Sequence, residues 1–220
     1  MGGSFPIDLL LFGMIAAFLV LRLRGILGRR TGFERSEGGP VQVPGMARPA
    51  APTIDAKAEP AAPARPLPDP AGPTGTALGQ MHGVDRNFDA AHFLAGAEAA
   101  FRMIVAAFAA GDRVALRPLL ADETYRGFEQ AITAREEAGE TQHSEIRGIP
   151  QVSIEAASLA GTTASITVKF VSDQIAETLD KNGRPVAGTD AVTEITDLWT
   201  FERDLSQPDP AWRLAAARSG

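Results

Sequence analysis

The residue best placed for chemistry in this sequence is Asp197, an acid inside a run that alternates apolar and polar side chains. The alternation predicts that Asp197 lies on the apolar face of a strand, where burial raises the pKa of a carboxyl and suits it to act as a base. Tyr125 could then donate a hydrogen bond to a developing oxyanion. A structural interpretation competes with this one: Asp197 pairs with Arg126 or Arg203, or accepts backbone hydrogen bonds at a pocket rim.

The remaining candidates for chemistry lack the spacing that a metal or nucleotide site needs. The histidines do not lie at ligand intervals from one another, and no calcium-loop pattern surrounds the acidic triplet near a predicted helix end. These candidates are His82, His92, His143, Glu136, Glu137 and Glu140. The chain has no cysteine, which excludes thiolate nucleophiles and zinc–thiolate sites, and it has no phosphate-binding glycine motif. We therefore expect neither a metal nor a cofactor.

The overall charge argues against a nucleic-acid partner. The 220 residues carry 21 basic and 27 acidic side chains, a formal net charge of −6, whereas binding to phosphates requires a basic surface. The length suits one domain with appendages rather than two catalytic domains.

An apolar segment near the N-terminus predicts a single membrane span. Extending the apolar run at residues 9–21 to residues 5–23 gives about 28 Å of helix, close to the thickness of a bilayer core. A basic flank, residues 24–35, follows the span, and by the positive-inside rule the rest of the chain lies on the cytoplasmic side or its equivalent. The arginines that set this orientation, and that could also contact anionic lipid, are Arg22, Arg24, Arg29 and Arg30. A signal peptide is the alternative, although a basic start and a cleavage site are missing.

A proline-rich segment separates the predicted span from the rest of the chain. Residues 36–82 contain 10 of the 16 prolines, with alanine, glycine and few large apolar side chains. Such a composition cannot bury enough surface to offset the entropy of ordering, so it predicts a disordered, extended linker. The composition then becomes that of a globular protein, and we place a domain at residues 85–220.

Two kinds of periodicity follow one another in the predicted domain. Apolar residues recur at intervals of three and four between Asp89 and Gly111, which predicts a helix capped by Asp89 and ended by Gly111. Two shorter helices follow, and then the apolar positions alternate, with a hairpin turn at Asn182-Gly183. Helices before an antiparallel meander predict an α+β fold, in which the helices pack on a curved sheet with a bulge near Ser172–Gln174.

A bulged sheet wrapped on helices commonly leaves a conical pocket between the two layers. Aromatic side chains that the periodicity turns inward belong first to the core, and some of them could line such a pocket for a lipid tail or for an apolar residue of a partner. Together with the buried acid, these candidates are Phe101, Phe108, Tyr125, Phe128, Phe170, Asp197 and Trp199.

Long stretches of the sequence resemble a known family. The first stretch is similar to the opening of the C-terminal domain of the mitochondrial translocase subunit Tim44 and reads FLAGAEAAFRMIVAAFAAGDRVALRPLL, followed by YRGFEQAITAREEAG. The last strands of that domain resemble TEITDLWTFERDL and PAWRLAAA. The start of the chain resembles membrane-anchored bacterial relatives and reads LRLRGILGRRTGFE. The resemblance covers residues 5–35 and about 88–217, and it involves no catalytic motif.

The resemblance implies a cystatin-like, or nuclear-transport-factor-like, arrangement of helices on a curved sheet. It implies an adaptor at the bacterial inner membrane rather than an enzyme, whose cytoplasmic-side domain binds a protein partner such as a chaperone or a factor for translocation or membrane-protein biogenesis. The mitochondrial relative engages its chaperone largely through a charged helical region before the domain, and here a proline–alanine segment stands in its place. Alternatives are a lipid- or hydrophobe-binding module, which predicts an enclosed apolar pocket, and a small enzyme, which requires Asp197 unpaired in a cavity.

Overall fold

The computed structural model describes residues 65–219. Within them the helices are α1 (Pro73–Val84), α2 (Ala90–Ala110), α3 (Arg113–Leu116) and α4 (Asp122–Glu137). The strands that follow are β1 (Thr141–Ala160), β2 (Thr163–Leu179), β3 (Pro185–Asp204) and β4 (Arg213–Ser219). The predicted anchor, basic flank and linker up to residue 64 lie outside the described residues.

The four strands form one antiparallel sheet in sequence order, β1-β2-β3-β4. Phe170 of β2, for example, lies opposite Val152 on one side and Asp197 on the other. The sheet is irregular, because the pairing of β1 with β2 shifts register at three places and each shift adds local twist. Helices first and a bent antiparallel sheet afterwards confirm the predicted α+β class.

The pairing of β1 with β2 shifts register opposite residues 171–174, where the sequence predicted a bulge or bend, and the extra residues stand in β1. Ser172 and Gln174 are both buried and continue the inward alternation of Phe170. The pairing of β2 with β3 shifts between Gln174 and Ala176, where β3 supplies the extra residues. The sequence pattern was read from apolar residues alone, so the inward-facing polar side chains of Ser172 and Gln174 looked like a change in the alternation at Ser172.

The long helix α2 carries the inward face of the helical layer. Its first turn is capped by Asp89, whose carboxylate accepts a hydrogen bond from the His92 amide at 2.6 Å, and it ends at Gly111 with a φ of 71°. Both predicted ends are confirmed. Among the described helices, α2 is long and apolar enough to cross a membrane by length and composition. Its inward side is nevertheless covered by the domain, since Leu94, Phe101 and other residues at helical spacing are buried in the core.

Helix α1 corrects the predicted boundary between linker and domain. We placed residues 73–82 in the linker, but they begin a helix that buries Ala77, Leu78 and Met81, and Met81 is completely inaccessible to solvent. Pro73 stands at the first position of this helix, where proline is favourable because its fixed φ suits the helix and its missing N–H is not needed. The domain therefore begins at least ten residues earlier than predicted.

The strap, residues 65–72, runs from α2 to the start of α1. Arg65 donates hydrogen bonds from Nε and Nη2 to one carboxylate oxygen of Glu98 on α2, at 3.1 and 2.5 Å. The Glu98 residue is only 8% exposed. The strap then crosses Gly75 so closely that a Cβ on that residue would lie 2.1 Å from the backbone oxygen of Asp69. Hence the chain before α1 is tied to the domain.

Candidate functional site

Three of the predicted pocket residues form the centre of the core. Phe101 of α2 stacks on Phe170 with ring centroids 4.4 Å apart, and Trp199 meets Phe101 edge-on at 4.6 Å. The two phenylalanines are completely inaccessible, and Trp199 is 6% exposed. The structure therefore brings this group together as packing between α2 and the sheet, where its members lie away from the two grooves described below.

The other predicted aromatic residues lie apart from this core stack. Phe108 and Phe128 are half-buried and pack edge-to-face at 4.9 Å, between the end of α2 and α4. Arg135 lies over the Phe108 ring at 5.2 Å and donates a hydrogen bond at 2.7 Å to the Phe108 backbone oxygen, which also accepts one from the Gly111 amide at the end of α2. Tyr125 lies under the Arg117 guanidinium at 4.9 Å.

Asp197 is buried on the inward face of β3, where the alternation predicted it. Neither suggested arginine is its partner, because Arg203 pairs with Asp85 at 3.0 Å and Arg126 is exposed. Instead the Ser219 hydroxyl donates a hydrogen bond to Asp197 Oδ1 at 2.7 Å. Burial raises the pKa of the Asp197 carboxyl, and hydrogen bonds from Ser219 and Gln174 partly offset that rise. Asp197 and Tyr125 share neither groove, so the structure does not assemble the acid–base pair considered above.

Replacing Asp197 with asparagine is expected to flatten the dependence of stability on pH. Because burial raises the folded-state pKa above the unfolded one, the contribution of Asp197 to stability is complete below about pH 4 and is lost as pH rises through the folded-state pKa. We expect Asp197→Asn, which does not titrate, to lose less stability between pH 4 and pH 8. Urea denaturation at several pH values measures this, and parallel profiles for the two proteins would contradict it.

The first of the two described grooves has an aromatic floor. This aromatic groove has a volume of about 670 Å³ and opens between α2, the loop before it and the loop that joins β3 to β4. Its floor consists of Phe88, Phe93, Phe201 and Trp212, and the Phe93 and Trp212 rings meet edge-on at 4.7 Å. Phe88 packs against the same indole at 5.9 Å. These contacts fix the floor as a rigid apolar surface.

The wall of the aromatic groove that α2 forms is built of small residues, and charged side chains of the loop before α2 also line the groove. Helix α2 contributes small residues, Gly96, Ala97 and Ala100, and a Cβ placed on Gly96 would meet nothing within 4 Å. Val84 and Met103 line the groove and are 49% and 51% exposed, which is unusual for large apolar side chains. The groove is thus an exposed apolar surface with room beside α2 for a second molecule.

The second groove, the charged groove, has about 1180 Å³ between α3, the start of α4 and the β3–β4 loop. Its basic residues largely form salt bridges with acidic ones: Arg113 with Glu136 at 2.7 Å and Arg117 with Asp122 at 2.6 Å. These partners hold the pKa of Glu136 and of Asp122 below the ordinary values. An arrangement of paired charges offers no surplus of either sign to a ligand, so the charged groove is the weaker candidate.

The sequence did not indicate the aromatic groove. Phe93 and Trp212 are more than a hundred positions apart, and no local pattern in the sequence joins them. One signal was available on α2. Its solvent-facing positions include Ala95, Gly96 and Ala99, where a helix on a protein surface ordinarily carries charged or polar side chains. Of the described residues, no group of three or more His, Asp and Glu side chains could hold a metal ion.

The solved structures that match this chain are distant in sequence. The intermembrane space region of the chloroplast protein ARC6 is 10% identical, with a TM-score of 0.42, over 57% of this chain and 95% of that chain. A protein from Shewanella frigidimarina described as a ketosteroid isomerase is 13% identical, with a TM-score of 0.29, over 55% and 91%. TsrD from Streptomyces laurentii is 14% identical, with a TM-score of 0.28, over 61% and 90%.

Sequence comparison identifies the family. No curated protein matches the chain. The model of the Tim44-like domain, however, matches residues 74–219, which begin in α1 and end with β4. The match includes both α2 and the strands that the resemblance rested on, and it covers well over half of the chain. The chain belongs to the Tim44-like domain family.

Proposed function

We propose that this protein is a membrane-anchored adaptor whose domain binds a protein partner through the aromatic groove. The observation that carries the proposal is an open apolar cavity with a rigid floor that includes Trp212 and Phe93. Protein interfaces concentrate their binding energy in such aromatic centres, where a partner's side chain is fully removed from water. Exposed Val84 and Met103 extend the apolar surface at the groove and give the partner further area to cover.

The proposed setting is the cytoplasmic face of a bacterial inner membrane. Residues 5–23 would anchor the chain, residues 24–35 would lie against the head groups, and the proline-rich residues up to the strap would hold the domain away from the bilayer. Membership of the Tim44-like family supports a role at a membrane. The partner we propose is a chaperone or a factor in protein translocation or membrane-protein biogenesis.

The orientation makes a direct prediction. Changing Arg22, Arg24, Arg29 and Arg30 together to glutamate is expected to invert or block insertion of residues 5–23, because basic residues beside a span are retained in the cytoplasm. Protease protection of spheroplasts measures where the domain lies. A domain that stays on the inner side after this fourfold change would show that charge does not set the orientation.

The groove makes a second prediction, which uses Gly96. Gly96→Leu places a large side chain in the open space beside α2, where a Cβ meets nothing within 4 Å, so it is expected to occlude the groove. Removing a glycine from a helix is also expected to stabilise it by up to about 1 kcal/mol. We expect crosslinks from a photoreactive residue at Met103 to a protein partner in cells to disappear in this variant.

Gly79→Leu is the matched control for that experiment. Gly79 lies in α1, a Cβ there meets nothing within 4 Å, and the residue is outside both grooves. The control is expected to keep the crosslinks. A partner that both variants capture equally well would mean that the domain binds elsewhere and would contradict the proposed site.

A lipid or another hydrophobic ligand is the second candidate occupant. The groove volume of about 670 Å³ lies within the range of small-molecule sites, and its floor is apolar. Native mass spectrometry of the chain purified in mild detergent tests this. Lipid that is retained by the unchanged protein and lost in Gly96→Leu, in the absence of any protein crosslink, would favour the ligand-binding function over the adaptor.

A further inference from the structure

We infer that the aromatic groove receives an amphipathic helix of a partner protein, about three turns long, with an acidic residue facing Arg86. The inference rests on the proposed adaptor function and states what the partner must present. It follows from the shape of the wall that α2 forms, from the length of the groove, and from the charges that line it.

The wall favours a helix over other shapes. Two helices approach closely where the residues between them are small, and α2 presents Gly96, Ala97 and Ala100 to the groove. An added strand would need a free sheet edge, but beside the groove the backbone of β3 is paired with β4, at Phe201 with Leu214. A helix that packs on α2 can place its bulky side chains on the aromatic floor without requiring backbone hydrogen bonds from the domain.

The length of the wall sets the length of the occupant. The groove-lining residues of α2 extend from His92 to Met103. At about 1.5 Å per residue, this separation spans about 17 Å, or three helical turns. A partner helix of that length presents apolar side chains on one face at positions i, i+4 and i+7, and the exposed Met103 lies at one end of the line they follow.

The charges at the groove favour an acidic residue on the partner. Asp85 is paired with Arg203 at 3.0 Å, and Asp89 accepts a hydrogen bond from the first turn of α2. Arg86 also lines the groove, and within the described part of the chain it forms neither a salt bridge nor a cap. A carboxylate that the incoming helix places beside Arg86 would pair with its guanidinium, whereas a lysine at that position would be repelled by it.

The chain itself supplies no equivalent helix among its described residues. Glu98, which pairs with Arg65, is two residues from Gly96 and therefore about 200° around α2, so Arg65 contacts the side of α2 opposite the groove. The large apolar side chains exposed on the described surface are Leu67, Val84, Met103, Val114 and Val192. Val84 and Met103 belong to the groove, and the other three lie in the strap, in the four-residue helix α3 and in β3. Outside its own groove, a second copy therefore has no described helix of three turns that exposes large apolar side chains.

Binding of designed peptides to the full chain in detergent tests the inference. The first probe is a stapled twelve-residue helix with leucines at i, i+4 and i+7 and a glutamate flanking them. The second has lysine in place of the glutamate, and the third is the proline-rich peptide of residues 49–64. We expect the acidic helix to bind most tightly, and Gly96→Leu to weaken it about tenfold, since a large side chain then stays in water. Gly79→Leu is expected to leave its affinity unchanged.

Charge reversal at Arg86 tests the proposed ion pair independently of the apolar packing of the helix. Arg86→Glu is expected to weaken the acidic helix about threefold and to strengthen the lysine helix by a similar factor, the size expected for an exposed ion pair. Equal affinities for the two helices, or tighter binding of the proline-rich peptide, would overturn the inference even where crosslinks at Met103 uphold the adaptor function. Binding of the acidic helix without any crosslink in cells would support the inference that the groove binds such a helix and would contradict the proposed adaptor function.

Discussion

Replacing Phe101 with alanine is expected to lower the free energy of unfolding by about 3–5 kcal/mol. The ring is completely buried and lies within 4.4 Å of Phe170 and 4.6 Å of Trp199, centroid to centroid. Removing it leaves a cavity that neighbouring rings cannot fill by small movements, because they are held by the sheet. Urea denaturation followed by tryptophan fluorescence measures the loss, since both tryptophans of the chain, Trp199 and Trp212, lie in the domain.

Phe108→Ala is the matched control, because it removes the same ring from a half-buried place beside Phe128. We expect a clearly smaller loss there, since a half-exposed ring contributes less apolar burial. If Phe101→Ala left stability unchanged but removed partner crosslinks, Phe101 would belong to a binding surface, as the sequence allowed, and the core described above would be wrong.

Gly75→Ala is expected to free the strap and to lower stability by about 2–3 kcal/mol. The new methyl group would lie 2.1 Å from the backbone oxygen of Asp69 and 2.6 Å from the Cα of Pro70, so the strap has to move away. Arg65 would then leave Glu98, whose side chain is 11% exposed and retains Arg102 nearby, at 3.5 Å. The Arg65 side chain is 40% exposed, which keeps its own contribution to the loss modest.

Hydrogen exchange shows where the change acts. Residues 65–72 are expected to lose protection in Gly75→Ala, while amides of the sheet keep theirs. Gly79→Ala serves as the control on the same helix, because its added methyl meets nothing within 4 Å and is expected to stabilise α1 slightly. Normal protection of the strap in Gly75→Ala would mean that the close contact with Asp69 is relieved without detachment.

The parts of the fold that the sequence predicts are those with local signals. Helix α2 begins at Asp89 and ends at Gly111 because one residue caps the first turn and the other adopts a positive φ, and both effects act within a few positions. The hairpin at Gly183, with a φ of 74°, is local in the same way. Helix α1 was missed because its buried side chains, Leu78 and Met81 among them, are sparse in a stretch dominated by proline and glycine.

The candidate site depends on contacts that no local pattern encodes. The aromatic groove joins Phe88 and Phe93 to Phe201 and Trp212, and only the closure of the sheet against α2 brings them together. The hydrogen bonds that Asp197 accepts come from β4 and β2, so they depend on the register of three strands. The sequence indicated that Asp197 is buried, because the alternation of apolar and polar residues along β3 shows which side chains face inward. It did not indicate that Ser219 donates a hydrogen bond to Asp197, because that depends on which strand pairs with β3.

The order of synthesis gives α2 a further constraint. Thirty residues separate its last residue, Ala110, from the start of β1 at Thr141, the first strand that packs on it. At about 5–20 residues per second, the ribosome leaves this helix without the sheet for about 2–6 seconds, while its mean hydropathy of 1.6 is high enough for a membrane span. The charged side chains of Glu98 and Arg102 lie near its centre, and each such charge strongly disfavours insertion into a bilayer. The carboxylate that later holds the strap therefore first keeps the nascent helix in water.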